Sequence, residues 1–135
     1  MRIDSFEQIE SWKEARKLVQ SIYAISRDCR DLGFKDQIQR ASISVMSNIA
    51  EGFDRGSNKE FIQFLVIARG SVSEVKSLAY AGLDIGHFTP VLFEATVKSC
   101  TELSNMINGF IRYQRNSESK KLKQKKGSKF TKNRP

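Results

Sequence analysis

The segment Gln37 to Gly52, QIQRASISVMSNIAEG, limits what this chain can fold into more than any other stretch. Ile38, Ala41, Val45 and Ile49 recur at spacings of three and four, so they share one helical face, while Gln37, Arg40, Ser44, Asn48 and Glu51 fall on the adjacent one. The apolar stripe needs a core, and the polar stripe needs hydrogen-bonding partners or water. Gly52 closes the helix with the residue most tolerant of left-handed backbone.

The same period runs through most of the chain. Ser5 with Gln8 and Ser11 with Glu14 both have capping-box spacing; Ser11 is the better start, because Trp12, Ala15, Leu18, Ile22 and Ile25 follow it in phase. Phe6 and Ile9 then form an arm over the bundle end or a neighbouring subunit, and Trp12 reads as a core or interface anchor. Helix one fades at Asp28 to Arg30, and Leu32-Gly33 makes the turn, with Gly33 as a left-handed cap. Helix two follows over about Phe34 to Glu51, and Ser57 with Glu60 opens helix three as a second capping box. Phe61, Phe64-Leu65, Ala68, Val72, Val75, Leu78-Ala79 and Gly82 form its stripe, and Ile62, Val66 and Ile67 widen the apolar surface beyond it. That surplus predicts self-association. Gly70 sits mid-helix, where glycine costs about 1 kcal/mol relative to Ala, which predicts close approach of another helix, in the bundle or across a subunit boundary. Thr89-Pro90 starts helix four, whose stripe runs from Leu92-Phe93 through Thr96, Cys100, Leu103 and Met106-Ile107 to Phe110-Ile111, with an end expected near Tyr113 to Ser117. With two prolines in 135 residues and few β-branched runs, the expected class is all-α.

Gln37, Arg40-Ala41, Ser44, Asn48-Ile49-Ala50-Glu51-Gly52, Arg55, Phe61, Phe64, Ala68, Gly70-Ser71 and Glu74 resemble the bacterial four-helix-bundle proteins encoded in intervening sequences of 23S ribosomal RNA genes. Trp12, Ala15, Leu18 and Tyr23 look like that family's first helix. The resemblance implies an up-down-up-down antiparallel bundle that closes into a homo-oligomeric ring, a pentamer, without enzymatic activity. A distant branch is similar to the accessory protein of diversity-generating retroelements, which makes a scaffold or reverse-transcriptase partner the alternative to an RNA-binding protein.

Charge is distributed very unevenly. Of the net +8, seven Lys and one Arg against one Glu put +7 between Asn116 and Pro135, leaving +1 for residues 1–115. The expected organisation is a bundle domain over 1–115 and a disordered Lys-rich tail over 116–135. Lys120, Lys121, Lys123, Lys125, Lys126, Lys129, Lys132 and Arg134 are the candidate nucleic-acid-binding residues, since clustered cations neutralise phosphates of RNA or DNA; Phe130 offers one stacking face. Leu122 and Phe130 make too little apolar face for a membrane surface, and no segment approaches a membrane span, so a cytoplasmic protein is expected. Cys29 and Cys100 lack metal-site spacing and read as buried or half-buried thiols; His87, the single histidine, has no partners at catalytic spacing, and no cofactor or metal is expected. Glu51 and Glu74 are a conceivable acid–base pair, but a structural network of Arg40, Asn48, Glu51, Arg55 and Glu74 is the stronger reading.

Overall fold

Four helices form where the apolar stripes lie: α1 over Glu10–Ser26, α2 over Leu32–Asp54, α3 over Asn58–Asp84 and α4 over Pro90–Lys132, preceded by a 3₁₀ turn at Phe6–Gln8. This computed structural model describes residues 2–132, with the backbone alone at residues 125 and 127–132. The expected all-α class is observed, and no strand occurs among the described residues.

Cross-helix bonds give the register. Gln39 donates to Ser26 and Lys35 to the Arg27 carbonyl, joining α2 to the end of α1. Ser44 meets Ser71, and Gly52 lies against Phe64, so numbers rise along α2 as they fall along α3. Asn58 reaches the Gln114 carbonyl, Arg69 meets Asn108 and Lys76 meets Thr101, the antiparallel pattern again between α3 and α4. Helix α1 closes the bundle against α4.

The core is what the stripes predict. Ile22, Ile38, Val45, Ile49, Leu65, Val72, Val75, Cys100 and Ile107 are all buried. Each such aliphatic side chain contributes about 1.5–3 kcal/mol on leaving water. Burial also pushes the Cys100 thiol up to about 11, so this cysteine is a small core residue rather than a nucleophile. Both cysteines are free, Cys29 half-buried and Cys100 buried.

Several local expectations change. Ser11 is not the N-cap of α1: the cap is Ile9, which is buried, and Ser11 is a buried helical residue whose Oγ has no hydrogen-bond partner among the described residues. Insertion of Ile9 into the core sets the start of the helix. Phe6 packs edge-on against Trp12 with ring centroids 5.1 Å apart, so the arm covers its own bundle. Gly33 is a first-turn residue of α2, because Asp31 caps that helix by accepting from the Phe34 N–H at 3.2 Å. The left-handed glycine at this end of the bundle is Gly86, at φ 84, after α3.

Helix α3 starts as expected, with Ser57 Oγ accepting from the Glu60 N–H, and Thr89 Oγ1 caps α4 through the Leu92 N–H. At Gly52 helix α2 lies close against α3: an added Cβ would lie 2.5 Å from Phe64 Cβ. Gly70 differs. Among the described residues nothing stands within 4 Å of a Cβ built there. Ile62 and Val66 pack against the core, which leaves Ile67, 51% exposed, as the outward part of the α3 surplus.

The largest correction concerns the C-terminus. Helix α4 does not end near Tyr113 to Ser117 but continues to Lys132. Apolar periodicity does stop there, since Ile111 is the last buried residue among those whose side chains are described. The backbone nevertheless stays helical, because extending an existing helix needs one bond per residue and no new nucleus.

Candidate nucleic-acid interface

Helix α4 carries the candidate interface past the bundle. From Asn116 to Lys132 it extends about 26 Å at 1.5 Å per residue. Lys120, Lys121, Lys123 and Lys126 are exposed on it. Positions 125, 129 and 132 continue the same helix, with their side chains outside the described residues, as is Arg134 altogether. At its base the rod overhangs the α2–α3 turn. Glu118, Lys121, Leu122 and Gln124 line one wall of an open cleft of about 530 Å³, and Gly56, Ser57, Asn58 and Lys59 line the other. Lys59, which the charge count alone did not single out, therefore shares a concavity with Lys121.

The five-membered polar network does not assemble as one unit. Arg40 pairs with Asp36 one turn earlier at 2.9 Å, on an exposed surface. Arg55 pairs with Glu51 at 2.9 Å and lies over the Phe64 ring at 5.1 Å. Asn48 donates to the Ser44 carbonyl at 2.7 Å and to Ser44 Oγ at 3.0 Å, and Ser44 meets Ser71 across the α2–α3 seam at 2.8 Å. Glu74 is exposed and has no hydrogen-bond or ion-pair partner among the described residues. Ser71 meets Ser44 at the edge of the buried face of α3, and Glu74 lies on the far side of Ser71 from Val72 and Val75, just outside that face, where it is exposed. Pairing within a helix also immobilises less than reaching across, so the charged members find local partners.

Interhelical polar pins lie elsewhere than expected. Arg69 Nη1 donates to Asn108 Oδ1 at 2.9 Å, half-buried between α3 and α4. His87 Nε2 and Asp31 Oδ2 stand 3.0 Å apart, tying the α3–α4 turn to the cap of α2. The hydrogen bond to His87 and then the one from the Phe34 N–H hold the Asp31 carboxyl below its usual range. The histidine ring also tilts against Phe34. Its observed neighbours give it a structural job. Among the described residues no group of three or more His, Cys, Asp or Glu could hold a metal ion, and no helix is long and apolar enough to cross a membrane.

Stripe, register and seam together define an all-α antiparallel four-helix bundle with a basic helical extension. The chain belongs to the family described as 23S rRNA-intervening sequence protein, which it matches over residues 7–109. Among solved structures it is similar to a protein of unknown function from the S23 ribosomal protein family of Bacteroides thetaiotaomicron, with 22% identity and a TM-score of 0.66. That similarity covers 75% of this chain and 94% of the other, and it bears on the fold alone. No curated protein matches the chain. The family match stops at residue 109, before the lysine-rich part of α4.

Proposed function

We propose that this is a non-catalytic, self-associating bundle protein that binds nucleic acid, RNA or DNA, through phosphate contacts of the distal part of α4. The supporting observation is the exposed set Lys120, Lys121, Lys123 and Lys126 on a helix clear of the core, in a segment that holds +7 of the net +8. Lysine contacts to phosphate carry little base information, so binding is backbone-directed and salt-sensitive. Self-association into a ring, a pentamer by resemblance, is supported by Gly70 with open space above it and the exposed Ile67 on the same outer face of α3. Several tails on one platform would raise the local concentration of cations.

The test is a mobility-shift series over increasing salt with the full chain and a chain ending at Arg115. The full chain is expected to bind with a steep salt dependence, and loss of the extension to reduce affinity by about 100-fold or more at low salt, since each lysine–phosphate contact adds to the slope. Equal binding by both chains at every salt concentration refutes the role of α4. Light scattering on the same samples reads the mass of the assembly.

A protein-interaction scaffold, such as a polymerase accessory factor, is the second reading. The exposed Ile85, Val91 and Leu92 around the α3–α4 turn, with Val91 76% exposed, favour it. Under that reading the chain ending at Arg115 retains its partner.

A further inference from the structure

We infer that the cleft between the α2–α3 turn and α4 takes a base of a single-stranded nucleic acid, stacked on Tyr113, while the strand's phosphates pass Lys59 and Lys121. The inference rests on the nucleic-acid reading above and adds to it a base site, which phosphate contacts alone do not provide.

Four aromatic rings form a ladder at this end of the bundle. Phe53 meets Phe61 edge-on with centroids 5.9 Å apart, Phe61 meets Phe110 edge-on at 5.3 Å, and Phe110 meets Tyr113 at 6.2 Å. Phe61 is buried in the core, and Tyr113, at the other end of the ladder, is 61% exposed. Contact with Phe110 steadies the Tyr113 ring on one side and leaves most of it in water. The rings wall an open cleft of about 370 Å³, and Gln114 and Ser117 add polar groups to its lining. Residues 56–58 of the α2–α3 turn line this cleft and also the one that holds Lys59 and Lys121, so the aromatic hollow and the cationic hollow adjoin.

A nucleotide has the same two parts, a flat ring with polar edges and an anion. Stacking on an aromatic ring accepts any base, because every base has a π-face. A base inside a duplex has both faces covered and must be unstacked first, so an aromatic cleft favours single strands. An apolar peptide side chain would fill the aromatic hollow and leave the lysines unused. Asn58 is tied to the Gln114 carbonyl only at 3.5 Å, long for a hydrogen bond, and can turn its amide to a base edge at little cost. Glu118 offsets one of the two cations in the second hollow, but exposed Lys120, Lys123 and Lys126 continue the positive charge along the rod. That continuity favours a strand with several phosphates over a free nucleotide.

The experiment measures binding of the full chain to RNA and DNA strands of about ten nucleotides, an abasic strand of the same length and the DNA duplex. Tyr113→Ala, Tyr113→Phe and the pair Lys59→Gln with Lys121→Gln are compared with the parent. A base-bearing strand, RNA or DNA, is expected to bind the parent about tenfold more tightly than the abasic one, the size of one stacked base. Tyr113→Ala is expected to bring it down to the abasic level with the salt slope unchanged, since no phosphate contact is lost, and Tyr113→Phe to keep the parent's affinity. The double lysine variant is expected to lower the slope by about 1 to 1.5. The parent's preference for bases over abasic phosphates needs no variant, so it tests the site even if Tyr113→Ala fails to fold. Equal affinity for base-bearing and abasic strands, a Tyr113→Ala chain that still tells them apart, an unchanged slope in the lysine variant, or tighter binding of the duplex overturns the base site while leaving phosphate binding in place. A changed assembly mass for Tyr113→Ala in light scattering assigns the cleft to a second copy of the chain and overturns it too. Failure of the parent to bind any of these nucleic acids overturns the proposed function as well.

Discussion

The two parts of α4 share one backbone and almost nothing else. From Pro90 to Ile111 the helix buries Thr96, Cys100, Leu103, Ile107 and Ile111 against α1 and α3. From Asn116 onward none of the described side chains is buried, and the residues are mostly Lys, Ser and Gln. The first part is held by loss of apolar surface from water, the second by propagation from a helix already formed and by the good helix propensity of Lys, Gln and Glu. Helix and core are therefore separate properties, and absence of the second does not end the first.

The contrast breaks most easily at matched aliphatic positions. Ile107→Ala, in the buried part, is expected to destabilise by about 2–5 kcal/mol in denaturant melts. Leu122→Ala, at a residue 55% exposed on the rod, should stay within about 0.5 kcal/mol. Similar losses at both positions would mean that the rod is packed in solution. A smaller effect sharpens the account of the bundle: Gly52→Ala forces a Cβ into Phe64 and is expected to cost about 1–3 kcal/mol, read as a lowered denaturation midpoint with nucleic-acid affinity retained.

The smallest effect lies at the opposite end of the bundle from the rod. Asp31 has a carboxyl pKa lowered in the folded protein below the reference 3.8, so its ionised form stabilises the fold above that value. The stabilisation is lost as pH falls through the lower folded value. Asp31→Asn keeps a cap residue for α2 and is expected to flatten this part of the acid unfolding profile, with variant and parent converging at the lowest pH. Parallel profiles would remove the Asp31–His87 contact from the account of stability.

Much of this could be read without coordinates. The four helices, their caps at Ser57 and Thr89 and the core positions follow from spacing, because a period of three and four in apolar residues has few other solutions in water. What escaped was whatever depends on how one helix meets another. Ser11 has the spacing of a cap, and only the insertion of Ile9 into the core moves the helix start upstream of it. Gly70, in mid-helix, is open, while Gly52 lies so near Phe64 that an added Cβ would clash. The pairs Ser44–Ser71, Arg69–Asn108 and Asp31–His87 join residues 27, 39 and 56 positions apart, and no local pattern encodes them. His87 in particular carried no signal beyond being the single histidine.

Apolar periodicity alone was enough to determine that this chain makes four amphipathic helices and confines its excess charge to one end, because burial and charge are properties of residue type and order. Which polar groups pair, which glycine is crowded and how the lysines are arrayed were decided by the tertiary structure. Those depend on helix register and on how far α4 continues, and a shift of a single residue rotates every side chain by about 100° without changing its composition.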